Sequence, residues 1–408
     1  MRQIKALSLL LGILLIAGCG RINKPFEGTY DHVFIYCGLG YNNLSGMLEG
    51  NLQELKTDVL PGLSQDKAIL AFCHNTAISG NYVKENPPCL MWIYRGENGL
   101  PVTDTLQVYN DISVSASKET LRRVLEDVRT KFPARRYGLL VSSHGTGWIP
   151  GNYTSSSEKS SVRSKARKPE NPWPETKAIG NQYLNTRSHA QWIELGDFAD
   201  ALPMKMEYII LDNCLSGCVE VAYELKNACN YLVLSPAEIL TSGMRYSHLS
   251  TQFFGGEEPD LLQFCEDYYT YYNEQSGATR AGTITLVDCS KLDALADAFA
   301  SIVSAHREDL DIKLSESVQR YYYDSSDLRF YYDLEDLVDH LNVTQAESAR
   351  FRAALEACIP YHAETPAFFD LLLERCCGLS VYIPDPLRTQ LNAHYKTLSW
   401  NKKTGLVE

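Results

Sequence analysis

An apolar run, Leu139-Leu140-Val141, passes through Ser142 and Ser143 into His144, and glycines follow at Gly145 and Gly147. A second apolar run, Tyr208-Ile209-Ile210-Leu211, ends as abruptly in Asp212, Asn213 and Cys214. Together an imidazole and a thiol can do nucleophilic chemistry. The histidine helps generate thiolate and later returns a proton to a leaving amine. The two glycines let backbone come close to a substrate and leave its N–H groups unobstructed. The amides of Gly145 and Cys214 are therefore candidates for an oxyanion hole. Ser142 and Ser143 could suggest a serine nucleophile, but no G-x-S-x-G elbow accompanies them. Cys218 is a rival sulfur, expected one turn into the helix that follows Cys214.

These residues need a frame, and the hydrophobic pattern supplies one. Strands are expected at 32–38, 67–73, 89–95, 137–143, 206–212 and 231–235. Amphipathic helical stretches lie between several of them, one of them N-capped by Ser117. Strands alternating with helices predict an α/β fold with a mostly parallel sheet flanked by helices. In such sheets the carboxyl ends of the strands line the ligand crevice. If the strands leading to His144 and Cys214 are parallel neighbours, their axes lie about 5 Å apart and the two side chains can meet. A helix beginning right after Cys214 would also favour thiolate through its positive end. Past about residue 250 the pattern loosens into helices at 260–275 and 291–306 and returning strands at 281–288 and 378–384, read as a C-terminal subdomain over 251–408.

The chain has 408 residues with a formal net charge of −12, which argues against nucleic acid as its main partner. Arg2 and Lys5 precede the apolar stretch "ALSLLLGILLIAG", which is too short to span a bilayer and suits a signal peptide. It ends in Ile16-Ala17-Gly18-Cys19, which resembles a bacterial lipobox; a plain secretory signal is the alternative. The lipobox reading has residues 1–18 removed, Cys19 lipidated, 19–30 as a tether, and the protein exported and anchored at the cell envelope. Gly20 follows Cys19, so no Asp signals inner-membrane retention, and the outer membrane is the expected address. Of 12 cysteines, 11 remain after Cys19 (12 − 1), with no CxxC pair. Most sit in apolar runs, as buried small hydrophobes rather than a disulfide framework. Residues 154–168, "TSSSEKSSVRSKARK", are polar and aperiodic and read as a surface loop. No D-x-D-x-D-G calcium loop occurs, and no metal site is assigned.

The two strand-end motifs, Ser142-Ser143-His144-Gly145-Thr146-Gly147-Trp148 and Asp212-Asn213-Cys214-Leu215-Ser216, resemble those of the clostripain-like cysteine peptidases, of the caspase and gingipain clan. Further similarity runs through "FIYCGLGYNNLS", with an Asn-Asn-Leu turn, "YLVLSPAEILTSGMRY", "TITLVDCSKL", "YYDLEDLVDHL" and "GLSVYIP". The resemblance implies a caspase-like catalytic core over 31–250, a His144–Cys214 dyad, and a peptide or protein substrate. It assigns Asp212 to binding of a basic P1 side chain, and one carboxylate in a partly dry pocket suits Arg or Lys. Three departures stand out: Asn213 beside the nucleophile, Ser216 after it, and Met244 in place of a pocket tryptophan, with Arg245 adjacent as a cation that would oppose a basic substrate. No cofactor is required; calcium enters only because some relatives use it. Relatives can be processed between the histidine and the cysteine. Here that interval holds 154–168, with Lys159, Arg163, Lys165, Arg167 and Lys168 as expected cleavage points. The alternative reading is a catalytically silent surface lipoprotein of the same fold acting as a binding module.

Overall fold

The computed structural model describes residues 24–79, 82–151, 153, 193–322 and 330–408. The expected signal segment, Cys19 and the 154–168 loop lie outside the described residues. The strands are β1 (Tyr30–Gly40), β2 (Lys67–Ser79), β3 (Tyr82–Glu85), β4 (Cys89–Arg95), β5 (Pro101–Val108), β6 (Ala134–Ser142), β7 (Met206–Asp212), β8 (Cys229–Leu234), β9 (Thr283–Asp288), β10 (Tyr332–Asp333), β11 (Tyr361–Glu364), β12 (Ala367–Phe368), β13 (Leu371–Leu372) and β14 (Ser380–Val381). The helices used below are α1 (Ser45–Leu55), α2 (Lys118–Lys131), α3 (Leu195–Ala201), α4 (Val219–Leu225) and α5 (Leu249–Phe254).

One sheet organises the molecule, in the order β11-β9-β8-β7-β6-β1-β2-β4-β5, with β3 paired to β2. Its centre, β8-β7-β6-β1-β2, is parallel. The flanks are antiparallel: β4 and β5 on one side, β9 and β11 on the other. Parallel strands covered on both faces need near-continuous apolar sequence. In β1, Val33 through Tyr36 are all fully buried. Phe34 packs on Phe253 of α5, while Ile35 and Cys37 face Leu121 and Val124 of α2 around a small void. Helices therefore cover both sides. Ser117 caps α2 as expected, its side chain accepting from the Thr120 amide at 3.2 Å.

Three expectations shift. The edge strand β5 was not expected: "PVTDTLQV" is largely exposed and polar, so it carries no buried-strand signal. The 378–384 stretch adds no strand to the main sheet; β14 pairs with β10 in a separate two-stranded sheet. The helix after Cys214 starts only at Val219, with Cys218 as its N-cap residue. Leu215 adopts a left-handed φ of 61°, which breaks any helix running directly from Cys214.

The C-terminal residues also brace the centre of the sheet from behind. Glu220, at the start of α4, is fully buried and accepts from Tyr395 Oη at 2.6 Å and from the Tyr382 amide at 3.0 Å. Burial pushes its carboxyl group up to about 7, against the usual 4.5. A carboxyl raised in the fold contributes stability that is full below about pH 4.5 and is lost as pH rises through about 7. Glu220→Gln keeps the acceptor oxygen and removes the titration. Its stability relative to wild type should rise between pH 5 and pH 8, by on the order of 2–3 kcal/mol. Thermal or urea unfolding of both proteins across that range checks it; parallel curves would show that Glu220 does not titrate this way.

Candidate active site

Strands β6 and β7 are adjacent and parallel, and Ser142 stands directly opposite Asp212 in their register. His144 and Cys214 each lie two residues past that rung, so the two loops leave the sheet side by side. Gly145 is where they touch: a Cβ there would come within 2.7 Å of the Asn213 side chain and 2.8 Å of the Cys214 carbonyl oxygen. Gly147 has φ +57° and faces the Leu215 carbonyl and Tyr331 with no room for a side chain. Both glycines thus serve close approach between the two loops.

His144 is partly exposed, and its Nε2 lies 2.8 Å from Oδ1 of Asn43, in the turn after β1. The other ring nitrogen, Nδ1, is shielded from solvent. Cys214 is fully buried. The Ile239 amide donates to its Sγ at 3.1 Å, and the thiol lies 3.6 Å from the Ile239 carbonyl oxygen. The same segment after β8 takes up the rest of the loop: Leu215 N–H donates to Ala237 O at 2.9 Å and Gly217 N–H to Ser235 O at 2.8 Å. The nucleophile candidate is therefore one rung of a short backbone ladder. Leu215, strained at positive φ, is held in place by that ladder.

Asp212 is fully buried. It accepts from Ser142 Oγ at 2.8 Å, Tyr246 Oη at 2.5 Å and the Met244 amide at 3.2 Å. Ser142 is thus a donor to this carboxylate. Met244 and Tyr246 close over it from the same segment. Arg245 is paired: its guanidinium lies 3.2 Å from Glu54 and 4.0 Å over the Tyr271 ring. Cys218 is fully buried, and burial together with Glu220 pushes its thiol well above the usual range. It sits at the start of α4, not one turn inside it as expected.

The dipole of α4 accordingly acts at Cys218 and not, as expected, at Cys214. Cys37, Cys73, Cys214, Cys218 and Cys289 are buried thiols, none of them in a disulfide. No group of three or more His, Cys, Asp or Glu that could hold a metal ion occurs among the described residues. No helix among the described residues is long and apolar enough to cross a membrane.

Several contributors carry no functional signal in the sequence. Ile239 acts through its backbone. Tyr331 Oη donates to the Thr146 carbonyl at 2.5 Å, and His394 Nε2 lies 3.2 Å from the Trp148 carbonyl. The Ser380 amide donates to Gly217 O at 2.9 Å. Tyr331, Ser380 and His394, all late in the chain, thereby hold both loops. Beside them a cavity of about 120 Å³ opens, lined by His144, Gly145, Asn213 and Ser216 and walled by Val141 and Phe198.

Among curated proteins none matches the chain. Among solved structures, an inactive zymogen C11 protease from Parabacteroides distasonis is similar at 27% identity, with a TM-score of 0.74. The match covers 93% of this chain and 99% of that one. A secreted C11 cysteine protease from Bacteroides thetaiotaomicron is similar at 26% identity and a TM-score of 0.74, with the same coverage. A structure of a secreted C11 cysteine protease from the same organism, with an irreversible peptide inhibitor, shares the fold at 20% identity and a TM-score of 0.72, covering 92% of this chain and 99% of that one. The clostripain family model matches residues 91–359, more than half of the sequence. The chain belongs to the clostripain family of cysteine proteases.

Proposed function

We propose that the protein is an exported cysteine endopeptidase that uses a Cys214–His144 dyad, cleaves after Arg or Lys, and rests in a latent form. The observation that carries the dyad is the β6–β7 register, which delivers both side chains from one rung of a parallel sheet. In the reaction, the thiol proton passes to His144 and Cys214 Sγ attacks the peptide carbonyl. The amides of Gly145 and Cys214 receive the oxyanion. Collapse of the tetrahedral intermediate breaks the C–N bond, and His144 protonates the departing amine, leaving a thioester. Water, deprotonated by His144, then attacks the thioester; the acid product leaves and the thiol regains its proton.

Latency follows from the buried thiol. A substrate carbonyl cannot reach Sγ while the Ile239 rung is in place and Cys214 has no exposed surface. One structural neighbour is described as an inactive zymogen, and a basic, serine-rich stretch of sequence separates His144 from Cys214 here. Cleavage in 154–168, at Lys159, Arg163, Lys165, Arg167 or Lys168, is the release step we infer. β6 and β7 lie on either side of such a cut and pair in one sheet, so both fragments stay together. Cys214→Ala should lose turnover by orders of magnitude. It should run as one chain on a denaturing gel, where active wild type runs as two. An active Cys214→Ala protein, or an inactive Cys218→Ala protein beside it, would put the nucleophile elsewhere.

Specificity rests on Asp212. At rest its carboxylate is the floor beneath Met244 and Tyr246, and a P1 cation reaches it once that segment moves. Asp212→Asn should lower kcat/KM for Arg and Lys substrates by about tenfold or more relative to a neutral P1 substrate. Comparing substrates on the same preparation removes any effect of folded fraction. Equal losses on basic and neutral substrates would take Asp212 out of the pocket.

Export is supported by the signal-like N-terminus and by a similar protein described as secreted. Lipidation at Cys19 and attachment to the outer membrane are the finer reading, carried by Ile16-Ala17-Gly18-Cys19. Mass spectrometry of the mature N-terminal peptide from the native host should find Cys19 first and acylated. An unmodified N-terminus, or one starting elsewhere, would rule out the anchor.

A further inference from the structure

We infer that Asn43 is a positioning residue for His144, a third member of the catalytic constellation; this rests on the dyad reading above. Nε2 of His144 and Oδ1 of Asn43 are 2.8 Å apart. An amide oxygen can only accept, so the ring carries its proton on Nε2 and keeps the lone pair on Nδ1. Nδ1 is the nitrogen shielded from solvent, so Asn43 selects the tautomer whose basic nitrogen faces the protein. Removing that contact removes this hydrogen bond's hold on the tautomer.

The turn that carries Asn43 is built to hold still. Its neighbour Asn42 is buried, with Oδ1 accepting from the Leu44 amide at 2.8 Å and Nδ2 donating to Leu39 O at 3.1 Å. Ser45 ties the far side to β2: its hydroxyl donates to Thr76 O at 3.0 Å and accepts from Thr76 N–H at 2.9 Å. At Gly40 a side chain would collide with Asn75 and Leu48, so the end of β1 packs tightly under the turn. Asn43 alone of this group is exposed. Asn42 and Ser45 fix the backbone, and Asn43 directs its side chain to the histidine. The divided labour of two adjacent asparagines explains why both belong in the turn.

The contact also acts on charge. When His144 takes the thiol proton, its Nε2–H bond to Asn43 becomes charge-assisted and stronger. Asn43 therefore favours the thiolate–imidazolium pair without touching substrate, and it does so on the histidine's outer side. The titratable groups around these loops and behind the turn, among them Cys214, Cys218, Asp212, Tyr246, Tyr331 and His74, are the same in every Asn43 variant. Differences between variants thus report this one contact.

The test uses the full processed enzyme and a basic peptide substrate. Asn43→Ala should lower kcat by between about ten- and a hundredfold with KM little changed. It should move the alkaline limb of the kcat/KM profile to lower pH, because the imidazolium loses its acceptor. Asn43→Asp should move that limb to higher pH. In ¹⁵N spectra of histidine-labelled Cys214→Ala protein, His144 should be the Nε2–H tautomer, and a tautomer mixture once Asn43→Ala is added. A His144→Ala control separates the two levels of the reading. If it is inactive while Asn43→Ala keeps wild-type kcat and an unmoved alkaline limb, the role of Asn43 is overturned and the dyad stands. If His144→Ala keeps activity, the dyad reading itself fails.

Discussion

The register between β6 and β7 is the constraint on which the site depends. Ser142 and Asp212 face each other across one rung and are joined by a hydrogen bond between their side chains. That bond ties the last rung of the strand pair before the chain departs into loops. A slip of one residue would turn every side chain of β7 to the other face and carry Cys214 away from His144. Burial on both faces makes such a slip costly, since Tyr208, Ile209 and Ile210 are fully enclosed. Asp212 therefore stands in two relations: structural partner of Ser142 and Tyr246, and the carboxylate proposed to meet a basic side chain. The same hydrogen bonds that fix it also keep it covered.

The two loops that leave the rung are held from several sides. The Cys214 loop is laced to residues 235–239 on one side and to Ser380 on the other. The His144 loop is held by Tyr331 and His394 and by Asn43. Most of these ties come from outside the strands that carry the chemistry. The C-terminal third of the chain thus braces the candidate site, and it adds β9 and β11 to the same sheet.

The parts of the fold that bury both faces were legible in the sequence, because a short, continuous apolar run is what a strand covered on both sides requires. The abrupt endings of two such runs made His144 and Cys214 visible. Polar edge strands were not legible: β5 and the short β11, "YHAE", carry no apolar signature. The start of α4 was misplaced because the left-handed turn at Leu215 falls on a residue type that gives no warning of it. Asn43 was visible only as part of an Asn-Asn-Leu turn, and nothing in its type distinguishes it from Asn42. Ile239 was invisible in principle, since any residue with an N–H could fill its role.

The most direct measurement is the pH dependence of alkylation by a small neutral reagent on processed enzyme, with the labelled residue located by peptide mapping, in wild type and His144→Ala. A Cys214–His144 dyad requires that Cys214 be labelled first, at pH values where an ordinary thiol is unreactive, and that this advantage disappear without His144. Preferential labelling of another cysteine, or a Cys214 profile unchanged in His144→Ala, would contradict it.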